Sequence, residues 1–270
     1  MATTDVRFLP AIIKHALKQG LKRTVRAFGY EITRKSTAAP QPTVYPRDFL
    51  PEHIAIMNRV GPFTLTSPER IYSLIEAVSY VVRAGIQGSI VECGVWRGGS
   101  MMAAALRLLE MGCEDRDLYL FDTFQGMTRP QAIDVHVLGQ AAINEFEREQ
   151  LGDDSSAVCY ASLSEVRKNL ALTQYDPSRA HFIQGKVEET IPGQAPDSIA
   201  LLRLDTDWYE STRHELEHLY HRLSPGGILI IDDYGDWQGA KRATDEFIAT
   251  HAPSLMLSRI DDTGRIAVKP

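Results

Sequence analysis

Long hydrophobic runs and cysteine clusters are both missing from this 270-residue sequence. No apolar run approaches the ~18–20 residues that a membrane-spanning helix needs, which argues against an integral membrane protein. The three cysteines, Cys93, Cys113 and Cys159, form no CxxC or Cys/His pattern, so we expect neither a disulfide framework nor a zinc site. An apolar patch near the N-terminus is interrupted by Pro10, and basic residues follow it instead of preceding it. We therefore expect no secretory signal and a cytoplasmic location.

Lys and Arg residues are concentrated in the first 35 residues of the chain. That segment holds eight of the 29 Lys and Arg residues and only two acids, whereas the rest of the chain carries a net charge of −12. A nucleic-acid groove needs a basic surface, so the acidic body argues against nucleic acid as a partner.

The basic leader, residues 7–35, has the periodicity of an amphipathic helix. Apolar residues recur there at three- and four-residue steps with lysines between them: Leu9, Ile12, Ile13, Leu17 and Leu21. Such a helix can lie on an anionic membrane surface, which would suit a membrane-peripheral enzyme with a lipid-linked acceptor. It can also pack on the body or on a partner subunit of a homodimer. Residues 36–51 contain four prolines and are typical of a linker, so we divide the chain into an N-terminal segment, 1–50, and a domain, 51–270.

From residue 66 onward, patterns typical of helices and strands alternate. A helix is predicted to begin at Ser67-Pro68-Glu69, because a serine cap, an early proline and an acid all favour a helix start. The remaining patterns predict strands at 89–92, 118–121, 181–183, 199–204 and 227–231, helices at 100–111 and 141–151, and a hairpin at 255–258 and 265–268. Alternating strands and helices form a parallel sheet covered on both faces, and ligands bind beyond the carboxyl ends of its strands.

Two of the predicted strands end in acids that suit a nucleoside site. The first leads into Glu92-Cys-Gly94-Val-Trp-Arg-Gly98-Gly-Ser100, where glycines would let the backbone approach a ligand. A tight strand-to-helix turn explains this run equally well by itself. Asp122, 28 residues after Gly94, is placed to accept hydrogen bonds from ribose hydroxyls. Carboxylates at Glu92 and Asp122 disfavour the pyrophosphate of NAD and favour the cationic nucleoside S-adenosylmethionine. The loop Gly185-Lys-Val187-Glu188 would then cover its adenine edge.

The last two parallel strands end in Asp205-Thr-Asp207 and Asp232-Asp233. Neighbouring strands would place Asp205 beside Asp232 and Asp233, and three close carboxylates repel one another unless a cation lies between them. Oxygen ligands favour Mg²⁺ or a similar divalent ion. The alternative is a set of solvent-exposed acids at strand ends. Asp207 is free to act as a base, and His136, in the irregular loop 125–139, is either a second catalytic or acceptor-contacting residue or an ordinary surface histidine.

Several sequence blocks, in the same order, resemble the macrocin O-methyltransferase (TylF-type) family. They are 92–100, Phe121-Asp-Thr-Phe-Gln-Gly126, 204–212, and 224–227 together with Asp232-Asp233-Tyr234. The resemblance covers roughly residues 60–260. It implies an α/β, Rossmann-like class I methyltransferase fold with a mostly parallel seven-stranded sheet and a C-terminal antiparallel hairpin. It also implies dependence on S-adenosylmethionine and Mg²⁺, and methylation of sugar hydroxyls in natural products such as macrolides and aminocoumarins.

The family's roles can be transferred to matching positions. Asp205, Asp232 and Asp233 resemble the metal ligands and Asp207 the general base. The cofactor site that we predict combines the family blocks with the loop after the third strand, and it comprises Glu92, Gly94, Val95, Gly98, Ser100, Asp122, Thr123, Gly185, Val187, Glu188 and Asp205.

We therefore predict an S-adenosylmethionine- and Mg²⁺-dependent O-methyltransferase that acts on a vicinal diol of a sugar in a glycosylated metabolite or glycan. Chelation by the metal would lower the pKa of a sugar hydroxyl, and Asp207 would accept its proton. Two alternatives are an NAD(P)-dependent oxidoreductase on a similar sheet and a non-catalytic nucleotide-binding protein. Neither explains why Asp205, Asp207, Asp232 and Asp233 occur together.

Overall fold

A seven-stranded β-sheet organises residues 45–270, the part of the chain that this computed structural model describes. The predicted leader helix over 7–35 and the linker up to residue 44 lie outside the described residues. Among the helices within 45–270, none is both long enough and apolar enough to cross a membrane.

Helices and strands alternate through most of this range. The helices are α1 (Pro51–Val60), α2 (Pro68–Arg83), α3 (Gly99–Glu110), α4 (Ala142–Arg148), α5 (Leu163–Ala171), α6 (Val187–Thr190), α7 (Tyr209–Leu219) and α8 (Gln238–His251). The strands are β1 (Ser89–Cys93), β2 (Leu118–Asp122), β3 (Gln150–Gly152), β4 (Ser155–Ser156), β5 (Ala180–Gln184), β6 (Ile199–Leu204), β7 (Leu223–Ile231), β8 (Ser258–Arg259) and β9 (Arg265–Val268).

The main sheet has the strand order β5-β2-β1-β6-β7-β9-β8. Its first five strands are parallel, whereas β9 runs antiparallel to β7, and β8 to β9. The predicted fold, a mostly parallel seven-stranded sheet with a C-terminal antiparallel hairpin, is confirmed. The chain winds outward in opposite directions from β1 and β6, and the crevice at their carboxyl ends is where such sheets bind ligands.

Both faces of the central strands are buried, which explains their nearly continuous apolar sequence. Successive side chains of a strand point to opposite faces. Leu201 accordingly packs in the cluster that contains residues of α2 and α3, and Leu202 in the cluster that contains residues of α7 and α8.

Helix α2 begins where the sequence predicts. The Ser67 hydroxyl accepts a hydrogen bond from the Arg70 backbone N–H at 3.1 Å, and Pro68 occupies the first helical position. This start carries Arg70 to the carboxyl edge of the sheet, where it lines the cleft described below.

One local prediction is wrong, and one helix was not predicted. The helix predicted over 141–151 ends at Arg148, and Gln150–Gly152 pairs antiparallel with Ser155–Ser156 instead. The Gly152-Asp153-Asp154 run favours a turn, and this preference outweighs the helical pattern. Helix α1, which follows the proline-containing linker, was not predicted; it begins with Pro51 at its first position.

Candidate active site

A cleft of about 240 Å³ opens at the carboxyl ends of β1, β2, β6 and β7. A smaller hollow of about 60 Å³ continues it towards the loop after β5. Of the predicted cofactor residues, the larger cleft contains Gly94, Val95, Ser100, Asp122 and Asp205 in its lining, and the smaller hollow adds Thr123, Gly185, Val187 and Glu188. Glu92 and Gly98 line neither cavity.

The glycine turn after β1 shapes one end of the cleft. Gly94 has φ +81°, and a Cβ at this position would overlap the carbonyl oxygen of Asp205. Gly98, with φ +89°, is the N-cap of α3, and Gly99 and Ser100 in the first turn of that helix line the cleft. The first N–H groups of a helix have no partner within it, so this end of the cleft suits an anionic group.

Asp122 at the end of β2 is bound by the backbone around it. Its Oδ2 accepts hydrogen bonds from the N–H groups of Val95 and Trp96 at 2.7 and 3.0 Å, and its Oδ1 accepts one from Phe124 N–H at 2.6 Å. Burial raises the pKa of this carboxyl, while these N–H groups act to lower it. Asp122 therefore ties the glycine turn to the β2 loop, in addition to lining both cavities.

A buried arginine, Arg203 on β6, lies beneath the cleft and joins three strands. Its Nη1 donates to Glu92 Oε1 on β1 and to Asp205 Oδ2, and its Nη2 donates to Asp232 Oδ1 after β7, each at 2.6 Å. The direct register pair Glu92–Arg203 explains why the two side chains meet. The side chain of Glu92 is only 1% exposed, its Oε2 has no partner among the described residues, and burial raises its pKa to about 7.

Asp232 is held from its other side by the segment that begins α2. Arg70 Nη1 donates to Asp232 Oδ2, and the Thr66 hydroxyl lies 3.2 Å from the same oxygen. Arg70 Nε also lies 3.0 Å from Asp261 in the turn between β8 and β9. Both oxygens of Asp232 are therefore paired with cationic side chains.

Three other carboxylates converge in the cleft. Asp205, Asp207 and Asp233 each place an oxygen within 4.8 Å of the others, so among residues 45–270 they form the acidic group that could hold a metal ion. The trio differs from the sequence prediction in one member, because Asp207 takes the place of Asp232. Burial, together with the neighbouring carboxylates, raises the pKa of Asp207 to about 7 and those of Asp205 and Asp233 well above the ordinary value.

The backbone at Asp207 explains its position. Asp207 has φ +67°, and its N–H donates to Asp233 Oδ2 at 3.1 Å. Aspartate tolerates this left-handed conformation better than most residues. The turn after β6 therefore aims the Asp207 carboxylate back into the cleft, beside Asp205.

His136 lies beside the cleft and not in it. It lines a separate cavity that shares Trp237 with the acid cleft. Its Nε2 is 3.9 Å from Asp236 Oδ1, and its Nδ1 accepts a hydrogen bond from Leu138 N–H at 3.1 Å. The structure does not bring His136 to the three carboxylates, and its catalytic role stays a prediction.

Sequence reasoning missed Arg203, Arg70 and Thr66. Arg203 had a visible signal, since a charged residue inside the apolar strand Ile199–Leu204 must be paired when it is buried. Arg70 and Thr66 lie more than 160 residues from Asp232, and no local pattern joins them. These contacts are visible only in the folded structure, where the two segments lie at the same edge of the sheet.

The comparisons with known proteins identify the family. A family model described as macrocin-O-methyltransferase (TylF) matches residues 57–268. The 8-demethyl-8-(2,3-dimethoxy-alpha-L-rhamnosyl)-tetracenomycin-C 4'-O-methyltransferase of Streptomyces olivaceus is 34% identical over 74% of this chain and 73% of its own. The demethyldecarbamoylnovobiocin O-methyltransferase of Streptomyces niveus is 32% identical over 74% and 73%. The solved structure of the O-methyltransferase NovP is 31% identical, with a TM-score of 0.67 over 77% of this chain and 82% of that one.

The strand order and the ligand crevice define a Rossmann-like fold of the class I methyltransferase type. The chain belongs to the macrocin O-methyltransferase (TylF) family, and it is an O-methyltransferase. This identification sets aside the oxidoreductase and the non-catalytic nucleotide-binding protein as alternatives.

Proposed function

We propose that this enzyme transfers the methyl group of S-adenosylmethionine to a hydroxyl of a vicinal diol on a sugar, in a glycosylated metabolite, and that it uses Mg²⁺. The observation that carries the proposal is the convergence of Asp205, Asp207 and Asp233 at the end of a cleft whose other end is the glycine turn. The sugar acceptor is supported by the relatives, one of which is named for a rhamnosyl-bearing substrate.

The donor set fits a hard divalent cation. Of the carboxylates in or under the cleft, five form one cluster: Glu92, Asp205, Asp207, Asp232 and Asp233. Within residues 45–270, Arg203 and Arg70 are the cationic side chains that pair with members of this cluster. Two positive charges leave the group strongly negative when it is ionised. Carboxylate oxygens are the ligands that Mg²⁺ prefers, and Asp205, Asp207 and Asp233 would hold it. When bound, it would lower the pKa of a sugar hydroxyl.

The cleft also fits a zwitterionic, cationic nucleoside. The free N–H groups at the start of α3 would bind the carboxylate of the methionine moiety, and the acidic surroundings would favour the ammonium and sulfonium charges. Thr123, Val187 and Glu188 line the smaller hollow, which would take the adenosine. Glu92 touches Arg203 below the cleft, so we assign it to supporting Asp205, with direct contact to the cofactor still a prediction.

Asp207 would act as the base. Its carboxylate lies within 4.8 Å of those of Asp205 and Asp233, so it can accept the proton of a hydroxyl that the metal would hold there. Trp237 and Leu65 wall the cleft and would limit the access of water to the reacting hydroxyl. Positioning of the two substrates would supply most of the acceleration.

The test has a binding and a turnover part. Calorimetry with S-adenosylmethionine and with NAD, each with and without Mg²⁺, should show binding of S-adenosylmethionine only. Methyl label should then appear in rhamnosides that have a vicinal diol and should not appear after excess EDTA. Binding of NAD would contradict the proposed cofactor. Label transfer in excess EDTA would contradict the proposed role of the metal. Labelling of a phenol but of no sugar would contradict the proposed acceptor.

A further inference from the structure

A second cavity, of about 360 Å³, opens next to the acid cleft. Trp237 lines this second cavity and also the cleft that holds the three aspartates. His136, in the wall of the second cavity, lies 3.9 Å from Asp236, in the wall of the cleft. A volume of this size is at the lower end of the range of about 300–1,000 Å³ typical of small-ligand pockets. A molecule with its reacting hydroxyl at the three aspartates can therefore extend past Trp237 into this cavity.

The walls of the second cavity are held in place by the backbone. The loop before α4 forms isolated bridges between Val135 and Ala141 and between His136 and Trp237. Asp134, only 1% exposed, accepts hydrogen bonds from Gln131 N–H at 2.7 Å and from Tyr209 N–H at 2.8 Å, which ties the loop to the start of α7. The cavity is thus preformed and does not depend on a ligand to order it.

The shared wall is an aromatic ring in a fixed orientation. Trp237 packs edge-to-face on Trp208 with 5.0 Å between centroids and on His136 with 5.4 Å. The Trp208 indole N–H also donates to Thr128 O at 3.1 Å, which fixes the neighbouring ring. A rigid aromatic ring beside hydrogen-bonding side chains suits a ring that has apolar C–H faces and a polar rim.

Apart from Ala141 and Ala142, the remaining lining is polar and carries no net charge. Gln140 and Asn144 are exposed and make no side-chain hydrogen bond within residues 45–270. Glu145 and Arg148 pair with each other, with Arg148 Nη2 3.3 Å from Glu145 Oε1. Amide, carboxylate and guanidinium groups together can both donate to and accept from hydroxyls, and a balanced pair does not select a charged ligand.

We propose that this cavity is a second-ring site: it binds an uncharged pyranose ring that is glycosidically linked to the sugar undergoing methylation. The proposal rests on the proposed function, because it needs a sugar at the aspartates. A flat apolar aglycone fits the cavity less well, since it would remove water from Gln140, Asn144 and Arg148 without replacing their hydrogen bonds. His136 would then contribute to acceptor recognition.

The experiment compares two acceptors that differ by one ring. Methyl α-L-rhamnoside supplies the reacting diol alone, and a disaccharide with the same rhamnose at its non-reducing end adds the second ring. The native enzyme should prefer the disaccharide in kcat/KM. Asn144→Ala and Gln140→Ala should each reduce that preference by about 2- to 12-fold, the loss expected for one neutral hydrogen bond.

The matched control is Gln194→Ala, another exposed amide on a loop, which lies outside the lining of both cavities. It should leave the preference unchanged. Binding of both sugars is measured in parallel by saturation-transfer NMR, so the site is judged even if neither sugar is methylated. Absence of methylation with tighter, Asn144-dependent disaccharide binding would contradict the proposed function alone. Equal binding of the two sugars, or an equal loss in the control, would overturn the second-ring site.

Discussion

Asp207 has the surroundings of a general base. It combines a carboxylate in a left-handed turn, two acidic neighbours within 4.8 Å, and a pKa raised to about 7 by burial and by those neighbours. Sequence spacing indicated a base at this position. It could not indicate that Asp207, in place of Asp232, completes the group with Asp205 and Asp233, because that depends on the arginines that hold Asp232.

Replacement of Asp207 by Asn tests this assignment. We expect turnover to fall by about 10²–10⁴-fold, since an amide cannot accept the hydroxyl proton. Calorimetric binding of S-adenosylmethionine should stay close to native. Asp236→Asn, at a carboxylate that lines the same cleft outside the trio, is the control and should lose much less. Near-native turnover in Asp207→Asn would remove this residue from the role of base.

Arg203 is the buried cation that pairs with Glu92, Asp205 and Asp232 and so stabilises their ionised forms. Arg203→Gln should lower the free energy of unfolding by about 3–5 kcal/mol, because removing one partner of a buried ionic network leaves the others uncompensated. Urea denaturation measures this change. Arg83→Gln is the matched control, since the Arg83–Glu76 pair is 3.8 Å long and exposed, and it should cost less than about 1 kcal/mol. Equal losses in the two variants would contradict the network.

At the scale of elements, the turn between β1 and α3 positions the cofactor end of the cleft. The glycine pattern predicted a close approach of the backbone at Gly94, and the structure shows the approach to be to the Asp205 carbonyl. The central strands followed from apolar runs, and their parallel arrangement from the alternation with helices. Helix α1 was missed although Pro51 at its first position and the spacing of Ile56, Met57 and Val60 are local signals. The strands β3 and β4 are too short, at three and two residues, to show a pattern of their own.

Gly94→Ala should disrupt both stability and binding. The methyl group would overlap the Asp205 carbonyl, in addition to the roughly 1–2 kcal/mol cost of a left-handed conformation for a residue with a Cβ. Gly112→Ala is the control, because Gly112 has φ +66° but open space around it, and so only the conformational cost applies. Urea denaturation and calorimetry measure the two effects. If Gly94→Ala were as stable as Gly112→Ala and bound S-adenosylmethionine as tightly, the close contact between residue 94 and the Asp205 carbonyl would be contradicted.

At the scale of the whole molecule, the acidic cleft links stability to pH and to cations. Asp207 and Glu92 have pKa values of about 7 in the fold, above their ordinary values of 3.8 and 4.5. A group with a raised folded pKa stabilises the fold fully at low pH, and this contribution is lost as pH rises through the folded pKa. Ionisation of these two carboxylates thus opposes folding at neutral pH unless a cation binds in the cleft.

We therefore expect the Tm of the metal-free protein to fall between about pH 4 and pH 7, to an extent that Asp207→Asn reduces. Added Mg²⁺ should raise the Tm most above pH 7, where the carboxylates are ionised. Thermal scans over pH with and without MgCl₂ measure both effects, with Asp153→Asn, an exposed acid outside the cleft, as the control. A magnesium-induced rise that is equally large in acid would contradict the link.

The two ion pairs of Arg70, with Asp232 and with Asp261, have a consequence for how the protein folds during synthesis. Arg70 connects Asp232 in the cleft to Asp261 in the turn of the last hairpin, and the β9 strand beyond that turn completes the sheet beside β7. During synthesis, all five parallel strands precede Asp261 in the chain, so they are complete before the Arg70–Asp261 ion pair can form. A nascent chain that has not yet reached Asp261 therefore lacks the second anchor of Arg70, and with it part of the support that orients Asp232.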